Sequence, residues 1–234
     1  MVIMYEETEY PLREELITAH AAQWERIGQP GAFWTAEDRV AFVQEARSSQ
    51  SCDFCILRKK AMSPYAVTGK HTSFTNLPSV LIDTIPRIRT DPQRITRRMF
   101  DEVLASNYSR EQYIELVSVV TSATIIDTLH QALGISLPET PEINSGNPLG
   151  QKKPHLVDEG AWVPLADTKF TLTDTGMPSA PNITRAMGCV PSAVELFFGT
   201  FRHHYALKNI PMNISQSQAE YVASRVSSIN ECFY

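Results

Sequence analysis

The chain has 234 residues, of which 43% are hydrophobic and 20% are charged, and its formal net charge is −5. This composition is typical of a globular protein with a hydrophobic core, and its acidic balance argues against a dedicated nucleic-acid-binding protein. No run approaches the roughly 18 uncharged apolar residues that a membrane span needs, so we expect no transmembrane helix. The acidic N-terminus lacks the basic region of a signal peptide, and we therefore expect a cytoplasmic protein.

Helical periodicity recurs along the chain and strand signals are weak, which together predict an all-α fold. A first helix is predicted over residues 11–23. Thr35 is a favourable N-cap with Asp38 three residues on, and the helix that it begins runs towards the first two cysteines. Pro78 and Pro92 can each open a further helix, because proline is favoured in the first helical turn.

The clearest helix is predicted over residues 109–133. Ser109 and Gln112 have the spacing of a capping box, and Gly134 is a natural C-terminal stop. Its apolar residues cover more than one stripe, so we expect burial on most sides, either in the core or in a subunit interface.

The segment 138–180 is rich in proline and has little helical period. It is predicted to be a connector that wraps over the helices, with Trp162 as an anchor. Helices resume after it, opened by Pro181 and Pro191. A last helix is predicted to begin at Ser215, where a glutamine three residues on again completes the spacing of a capping box.

A helix-plus-cysteine unit occurs twice. When Cys52 is placed on Cys232, the segment 35–55 aligns with the segment 215–234 and their N-cap residues coincide. Both segments read as a capped amphipathic helix, a short polar break and a cysteine beside aromatic residues. In a cytoplasmic protein, cysteines close together in sequence indicate catalytic, redox or metal-binding chemistry rather than structural disulfides.

The second unit has a glutamate twelve residues before its cysteine, an Arg-Val-Ser stretch between them and an Asn-x-Cys-x-Tyr ending. This pattern resembles the active-site segment of the alkylhydroperoxidase D-like (carboxymuconolactone decarboxylase-like) family. In that family a second cysteine directly follows the tyrosine, and a histidine lies four residues beyond it. The sequence ends before these positions, so we expect the encoded protein to continue. The matching residues are Glu220, Arg225, Val226, Ser227, Asn230, Cys232 and Tyr234.

The resemblance implies an alkylhydroperoxidase D-like helical fold with two related units, over residues 1–137 and 181–234, on either side of the connector 138–180. It implies a thiol-dependent oxidoreductase that reduces a peroxide or a partner's disulfide, without a cofactor, and that forms a homo-oligomer. Cys232 would be the reactive thiol and Glu220 its relay acid, provided that the chain folds back near the end of the last helix. A lyase of the decarboxylase type and a degenerate, non-catalytic member of the fold are the alternatives.

The first unit keeps an intact pair, Cys52-Asp-Phe-Cys55, but lacks the relay residues that the resemblance implies. Val40 occupies the position of the glutamate, and Lys59 occupies that of the histidine. Arg58 and Lys59 follow the second cysteine by three and four residues, so on a helix their charge would favour a Cys55 thiolate.

Three interpretations of the Cys52 and Cys55 pair remain open: a redox pair, a degenerate relic and a metal site. His71 is the nearest candidate for a further metal ligand, although one histidine in a loop is more often a surface residue. We therefore assign no metal or cofactor. The candidate catalytic residues are Cys52, Cys55, Glu220 and Cys232.

Overall fold

The computed structural model describes four stretches of the chain, residues 5–151, 155–168, 181–206 and 209–230. These residues are mostly helical, as predicted. Their α-helices are α1 (Glu14–Ile27), α2 (Ala36–Ser48), α3 (Asp53–Lys60), α4 (Ser79–Thr90), α5 (Arg97–Ala105), α6 (Arg110–Leu133), α7 (Asn182–Met187), α8 (Pro191–Phe201) and α9 (Gln216–Ile229). Two short strands pair antiparallel, β1 (Leu156–Val157) and β2 (Leu165–Ala166).

Local hydrogen bonding sets where three of the helices begin. Thr35, Ser109 and Ser215 each form a capping box, in which the N-cap hydroxyl and the side chain three residues on satisfy each other's backbone N–H groups. Gly134 ends α6 in the left-handed conformation, with a φ of 71°, which glycine adopts without a steric penalty. The capped starts predicted from the sequence are therefore confirmed.

One predicted helix start is wrong. Pro92 opens only a short 3-10 turn, Pro92–Arg94, and α5 begins at Arg97. The cause is Thr96, whose hydroxyl accepts a hydrogen bond from the backbone N–H of Met99. A side-chain acceptor satisfies a helix N–H that otherwise lacks a partner, whereas proline is only tolerated in the first turn.

Helix α6 is the centre of the fold and packs against α1, α2, α4 and α8. It is buried around more than one stripe, as predicted, and includes two buried carboxylates. Glu115 pairs with Arg39 at 3.7 Å, and Asp127 accepts two hydrogen bonds from the Arg47 guanidinium at 2.8 and 2.9 Å. Buried charges are tolerated when they are paired in this way.

By length and composition, α6 is apolar enough to cross a membrane, contrary to the sequence expectation. Half of its most apolar stretch is buried inside the protein. A core helix of a globular fold has the same length and composition, so this property alone does not distinguish the two cases.

Helix α8, from the predicted second unit, packs against α6 and α1 of the predicted first unit. Leu196 of α8 accordingly lies in one hydrophobic cluster with Trp24 and Leu116. The described part of the connector rests on the helices through Trp162, whose ring stacks on Phe100 with the ring centroids 5.9 Å apart. The division of the chain into two related units stays a prediction.

Helix α3, which bears the first cysteine pair, is fixed at its C-terminal end by Arg94. The Arg94 guanidinium donates hydrogen bonds to the last carbonyls of α3, including those of Arg58 and Ala61, and it pairs with Asp91. Because these carbonyls have no partner within the helix, the contact both caps α3 and holds it against α4.

Candidate cysteine–histidine site

The two cysteines of the first unit lie at the N-terminal end of α3. Cys52 is the N-cap residue and Cys55 is the third residue of the helix. Both are free thiols and are buried, with Phe54 and Val67 packed around them. Backbone N–H groups at a helix start lack intrahelical partners and carry partial positive charge, so this position favours a thiolate.

His71 contacts both sulfur atoms from the loop between α3 and α4. Its Nδ1 atom is 3.2 Å from the Sγ of Cys55 and 3.9 Å from the Sγ of Cys52. The ring meets Phe54 edge-on, and only 9% of the side chain is exposed. The expectation that His71 lies at the surface is therefore wrong, because the loop folds back over the start of α3.

Asp83 of α4 orients the imidazole from the other side. Its Oδ1 atom is 3.1 Å from the Nε2 of His71 and 2.6 Å from the Arg58 guanidinium. Burial raises the pKa of Asp83, but the hydrogen bonds from His71 and Arg58 outweigh this effect and lower the pKa to about 2. Because an ionised carboxylate can only accept, Nε2 donates to Asp83, and in the neutral imidazole the Nδ1 lone pair therefore faces the sulfur atoms.

The two thiols differ in acidity. Burial raises the pKa of Cys52, but hydrogen bonds from the N–H groups of Thr72 and Cys55 and from the Cys55 thiol lower it to about 7. The Thr72 nitrogen lies 3.4 Å from the Cys52 sulfur. Burial and the neighbouring Cys52 raise the pKa of Cys55 to about 12. Cys52 is therefore the thiolate of the pair, and Cys55 is the thiol that donates to it.

The charge of Arg58 favours a Cys55 thiolate, as predicted, but burial and the neighbouring Cys52 outweigh it. Arg58 is bound to Asp83 and lies over the Phe54 ring, 4.3 Å from its centroid, so its charge only partly offsets the burial of Cys55. Lys59 is exposed to solvent. The acidic thiol is the first cysteine of the pair, because the N–H groups of Thr72 and Cys55 stabilise the Cys52 thiolate.

Two clefts lead to the site. One of about 360 Å³ reaches Cys55, and its other walls come mostly from polar residues, including Gln50, Lys59, Arg89 and Gln131. The other, of about 570 Å³, lies against His71 and Asp83. Cys52 is 1% exposed and lines neither of these clefts. A small reactant therefore meets Cys55 or His71 before it reaches the Cys52 sulfur.

The other two candidate catalytic residues belong to the second unit. Glu220 is exposed on α9, where hydrogen bonds from Tyr205 and then Gln216 lower the pKa of its carboxyl. Helix α9 ends at Ile229, at the position where the predicted fold-back would begin. Cys232 lies outside the described residues. The catalytic roles of Glu220 and Cys232 therefore stay predictions.

Asp83 is the member of the site that sequence reasoning missed. It lies twelve residues after His71, within a helix whose apolar pattern draws attention to other positions. No local motif joins the two residues, since their contact depends on α3 packing against α4. We refer below to Cys52, Cys55, His71 and Asp83 as the Cys–His–Asp site.

Comparison with family models, with curated proteins and with solved structures finds no match to this chain. The alkylhydroperoxidase D-like resemblance therefore rests on the sequence pattern alone. Function is argued from the geometry of the Cys–His–Asp site, because a helical fold by itself does not specify chemistry.

Proposed function

We propose that this protein is a thiol-dependent oxidoreductase that reduces hydroperoxides through Cys52 and Cys55. The observation that carries the proposal is the placement of His71. Its Nδ1 faces two thiols at a helix N-terminus, and the half-buried Asp83 carboxylate holds its other nitrogen. A nucleophile, a base and a group that orients the base are the recurring parts of an activated thiol site.

In the first step the Cys52 thiolate attacks the terminal oxygen of the hydroperoxide. The O–O bond breaks, the alkoxide leaves and takes up a proton to become the alcohol, and Cys52 becomes a sulfenic acid. The acidity of Cys52 supports this role, since its pKa is lowered to about 7 and a large fraction is thiolate at neutral pH.

In the second step His71 takes the proton of Cys55 through Nδ1, and the Cys55 sulfur attacks Cys52. A disulfide forms and hydroxide leaves, which the His71 proton converts to water. The two sulfur atoms lie within 4.8 Å of each other, and the disulfide forms when the side chains turn to bring them to about 2.05 Å. Two thiols and one hydroperoxide thus give a disulfide, an alcohol and water. An external thiol then supplies two electrons to restore the pair.

The burial of the site favours a small peroxide over a partner's disulfide as the oxidant. Cys52 is 1% exposed and does not line the cleft at Cys55, so the bulk of a folded protein hinders the approach of its disulfide to the Cys52 sulfur. We also propose, with this function, that the protein has the alkylhydroperoxidase D-like fold, forms a homo-oligomer and is located in the cytoplasm. The alternative function, a lyase that does not depend on a cysteine pair, does not account for the arrangement of the two thiols around His71.

Peroxide consumption by the reduced protein, with dithiothreitol as the electron donor, tests the proposal. We expect Cys52→Ser to abolish turnover, and Cys55→Ser to stop at a sulfenic acid that dimedone traps. Cys189→Ser is the matched control, because Cys189 is a buried thiol elsewhere in the core whose pKa burial raises to about 12. If Cys52→Ser consumes peroxide as fast as this control while remaining folded, the proposed function is wrong.

A further inference from the structure

The reduced Cys–His–Asp site also holds the donor atoms of a metal centre. The Sγ atoms of Cys52 and Cys55 and the Nδ1 of His71 all lie within 4.8 Å of one another. Across the described ranges, no other group of three or more histidine, cysteine or acidic side chains comes together in this way. The three donors come from the start of one helix and the loop that folds over it, so the fold brings them together before any ion binds.

The distances from the His71 Nδ1 atom to the two sulfur atoms are close to those around a tetrahedral zinc ion. With Zn–S distances of about 2.3 Å and a Zn–N distance of about 2.0–2.1 Å, tetrahedral coordination separates the donor atoms by roughly 3.5–3.8 Å. The Nδ1 of His71 is 3.2 Å from one sulfur and 3.9 Å from the other. Movements of a few tenths of an ångström would bring both separations to the expected values.

The surroundings match those of a zinc ligand set. Asp83 accepts the Nε2–H of His71 at 3.1 Å, which fixes the tautomer that leaves Nδ1 free to coordinate. Arg58 holds the carboxylate in turn, at 2.6 Å. The Thr72 N–H donates to the Cys52 sulfur at 3.4 Å, as a bound thiolate requires. Two of the three ligand side chains, His71 and Cys52, thus have support from a neighbouring group.

The donor set selects the class of ion. Two thiolates and a neutral imidazole suit Zn²⁺ rather than Mg²⁺ or Ca²⁺, which prefer oxygen ligands. Two thiolate charges would neutralise the divalent ion in this buried position. Three protein ligands leave a fourth position for water or a reactant, as in zinc sites that are not purely structural.

We propose that the reduced Cys52 and Cys55 pair binds one Zn²⁺ ion together with His71, and that oxidation of the pair releases it. Release rests on the proposed peroxide reduction, whereas binding does not. On oxidation two Zn–S bonds break and one S–S bond forms. The hydroperoxide accepts the two electrons and, with two protons from solvent, becomes an alcohol and water, while Zn²⁺ leaves as the hydrated ion.

Zinc binding is measured on the reduced, metal-free chain without oxygen, in competition with a chromogenic chelator. We expect one equivalent to bind. Cys52→Ser, Cys55→Ser and His71→Ala are each expected to weaken binding by more than tenfold, and Asp83→Asn by about 10- to 100-fold, since it supports His71. Cys189→Ser should bind like the wild type. Cobalt in place of zinc should show thiolate-to-metal charge-transfer absorption that both site cysteine variants lose.

The outcomes separate the metal site from the redox function. If the reduced wild type binds no stoichiometric zinc, or if His71→Ala binds it equally well, the metal site is refuted, and peroxide consumption still tests the redox function. One equivalent of hydrogen peroxide should release the bound zinc to the chelator. Zinc that binds but stays bound, in a protein that consumes no peroxide, would refute both the release and the redox function while leaving the metal site in place.

Discussion

The two helix-plus-cysteine units begin with the same capping box but differ in how their helices pack. Phe42 of α2 is 0% exposed, whereas Val222, its counterpart on α9, is 55% exposed. Ala46 is likewise 3% exposed and its counterpart Val226 is 51% exposed. Local sequence therefore sets the helix and its start in both units, whereas neighbouring elements decide whether that helix becomes part of a core.

The two units also differ in which residues surround their candidate catalytic groups. The groups that complete the first site, His71 and Asp83, come from the loop and helix that pack over α3, outside the repeated segment. The candidate relay group of the second unit, Glu220, lies within the repeat and is exposed. The comparison indicates that the loop and helix packed over α3, rather than the repeated segment itself, complete the site around Cys52.

The largest expected effect is on stability. Phe42→Ala should lower the free energy of unfolding by about 3–5 kcal/mol, because it empties a fully buried aromatic position. Val222→Ala, at the aligned position, should change it by less than about 0.5 kcal/mol, as expected for an exposed side chain. Urea unfolding followed by circular dichroism measures both. Equal losses would mean that α9 is packed in solution and that the contrast between the units is not real.

The second effect concerns catalysis. His71→Ala should slow peroxide consumption by about 10²-fold or more, since general-base catalysis contributes on that scale. Glu220→Gln should leave the rate close to that of the wild type, because the Cys–His–Asp site does not include this carboxylate. A loss in Glu220→Gln as large as that in His71→Ala would move the chemistry to the second unit.

The third prediction concerns the acidity of Cys52. In the reduced, metal-free protein, its alkylation by iodoacetamide should rise with pH to a midpoint near 7, because the thiolate is the reactive form and the pKa of Cys52 is lowered to about 7. Below that midpoint the rate should fall about tenfold for each pH unit. Cys55→Ala should move the midpoint upwards, since the hydrogen bond from the Cys55 thiol to the Cys52 thiolate is lost. A midpoint near that of an ordinary thiol would show that the start of α3 does not stabilise the thiolate.

The smallest effect arises where the two parts of the chain meet. His20 and His204 face each other with their Nε2 atoms 2.8 Å apart, and burial, followed by the charge of His204, lowers the pKa of His20 to about 3. The unfolded chain therefore binds more protons below about pH 6.5, so stability should fall on acidification, by at most about 1.4 kcal/mol per pH unit for each such histidine. Thermal unfolding between pH 7.5 and 5 measures the slope, which His204→Gln should flatten. Parallel curves for the two proteins would contradict this assignment.

Much of the local structure is predictable from the sequence. The starts at Thr35, Ser109 and Ser215 follow from side chains that bond to backbone groups only three residues away. The incorrect helix start at Pro92 also has a local cause, because the N-cap at Thr96 competes with the tendency of proline to occupy the first helical turn. Both candidate helix starts are visible in the sequence. Which of them the chain adopts depends on their relative free energies, which the sequence pattern does not give.

The candidate site was only half predictable. The spacing of Cys52 and Cys55 identifies them as candidate site residues, whereas no sequence pattern identifies their partners. A single loop histidine such as His71 is typical of a protein surface, and no sequence motif marks Asp83 as a site residue. Only the fold of the α3–α4 loop brings His71 to the sulfur atoms and to Asp83. The sequence favours a thiolate at Cys55 rather than Cys52 for the same reason, since the Thr72 N–H that stabilises Cys52 also comes from that loop.

The most direct test of the Cys–His–Asp site is the state of its cysteines after oxidation. The reduced chain is treated with one equivalent of hydrogen peroxide, alkylated, and analysed by peptide mass spectrometry. We predict a Cys52–Cys55 disulfide that dithiothreitol reverses and that forms more slowly in His71→Ala, while Cys189 stays a free thiol. Peroxide treatment that leaves Cys52 and Cys55 both unlinked would contradict a redox role for this site.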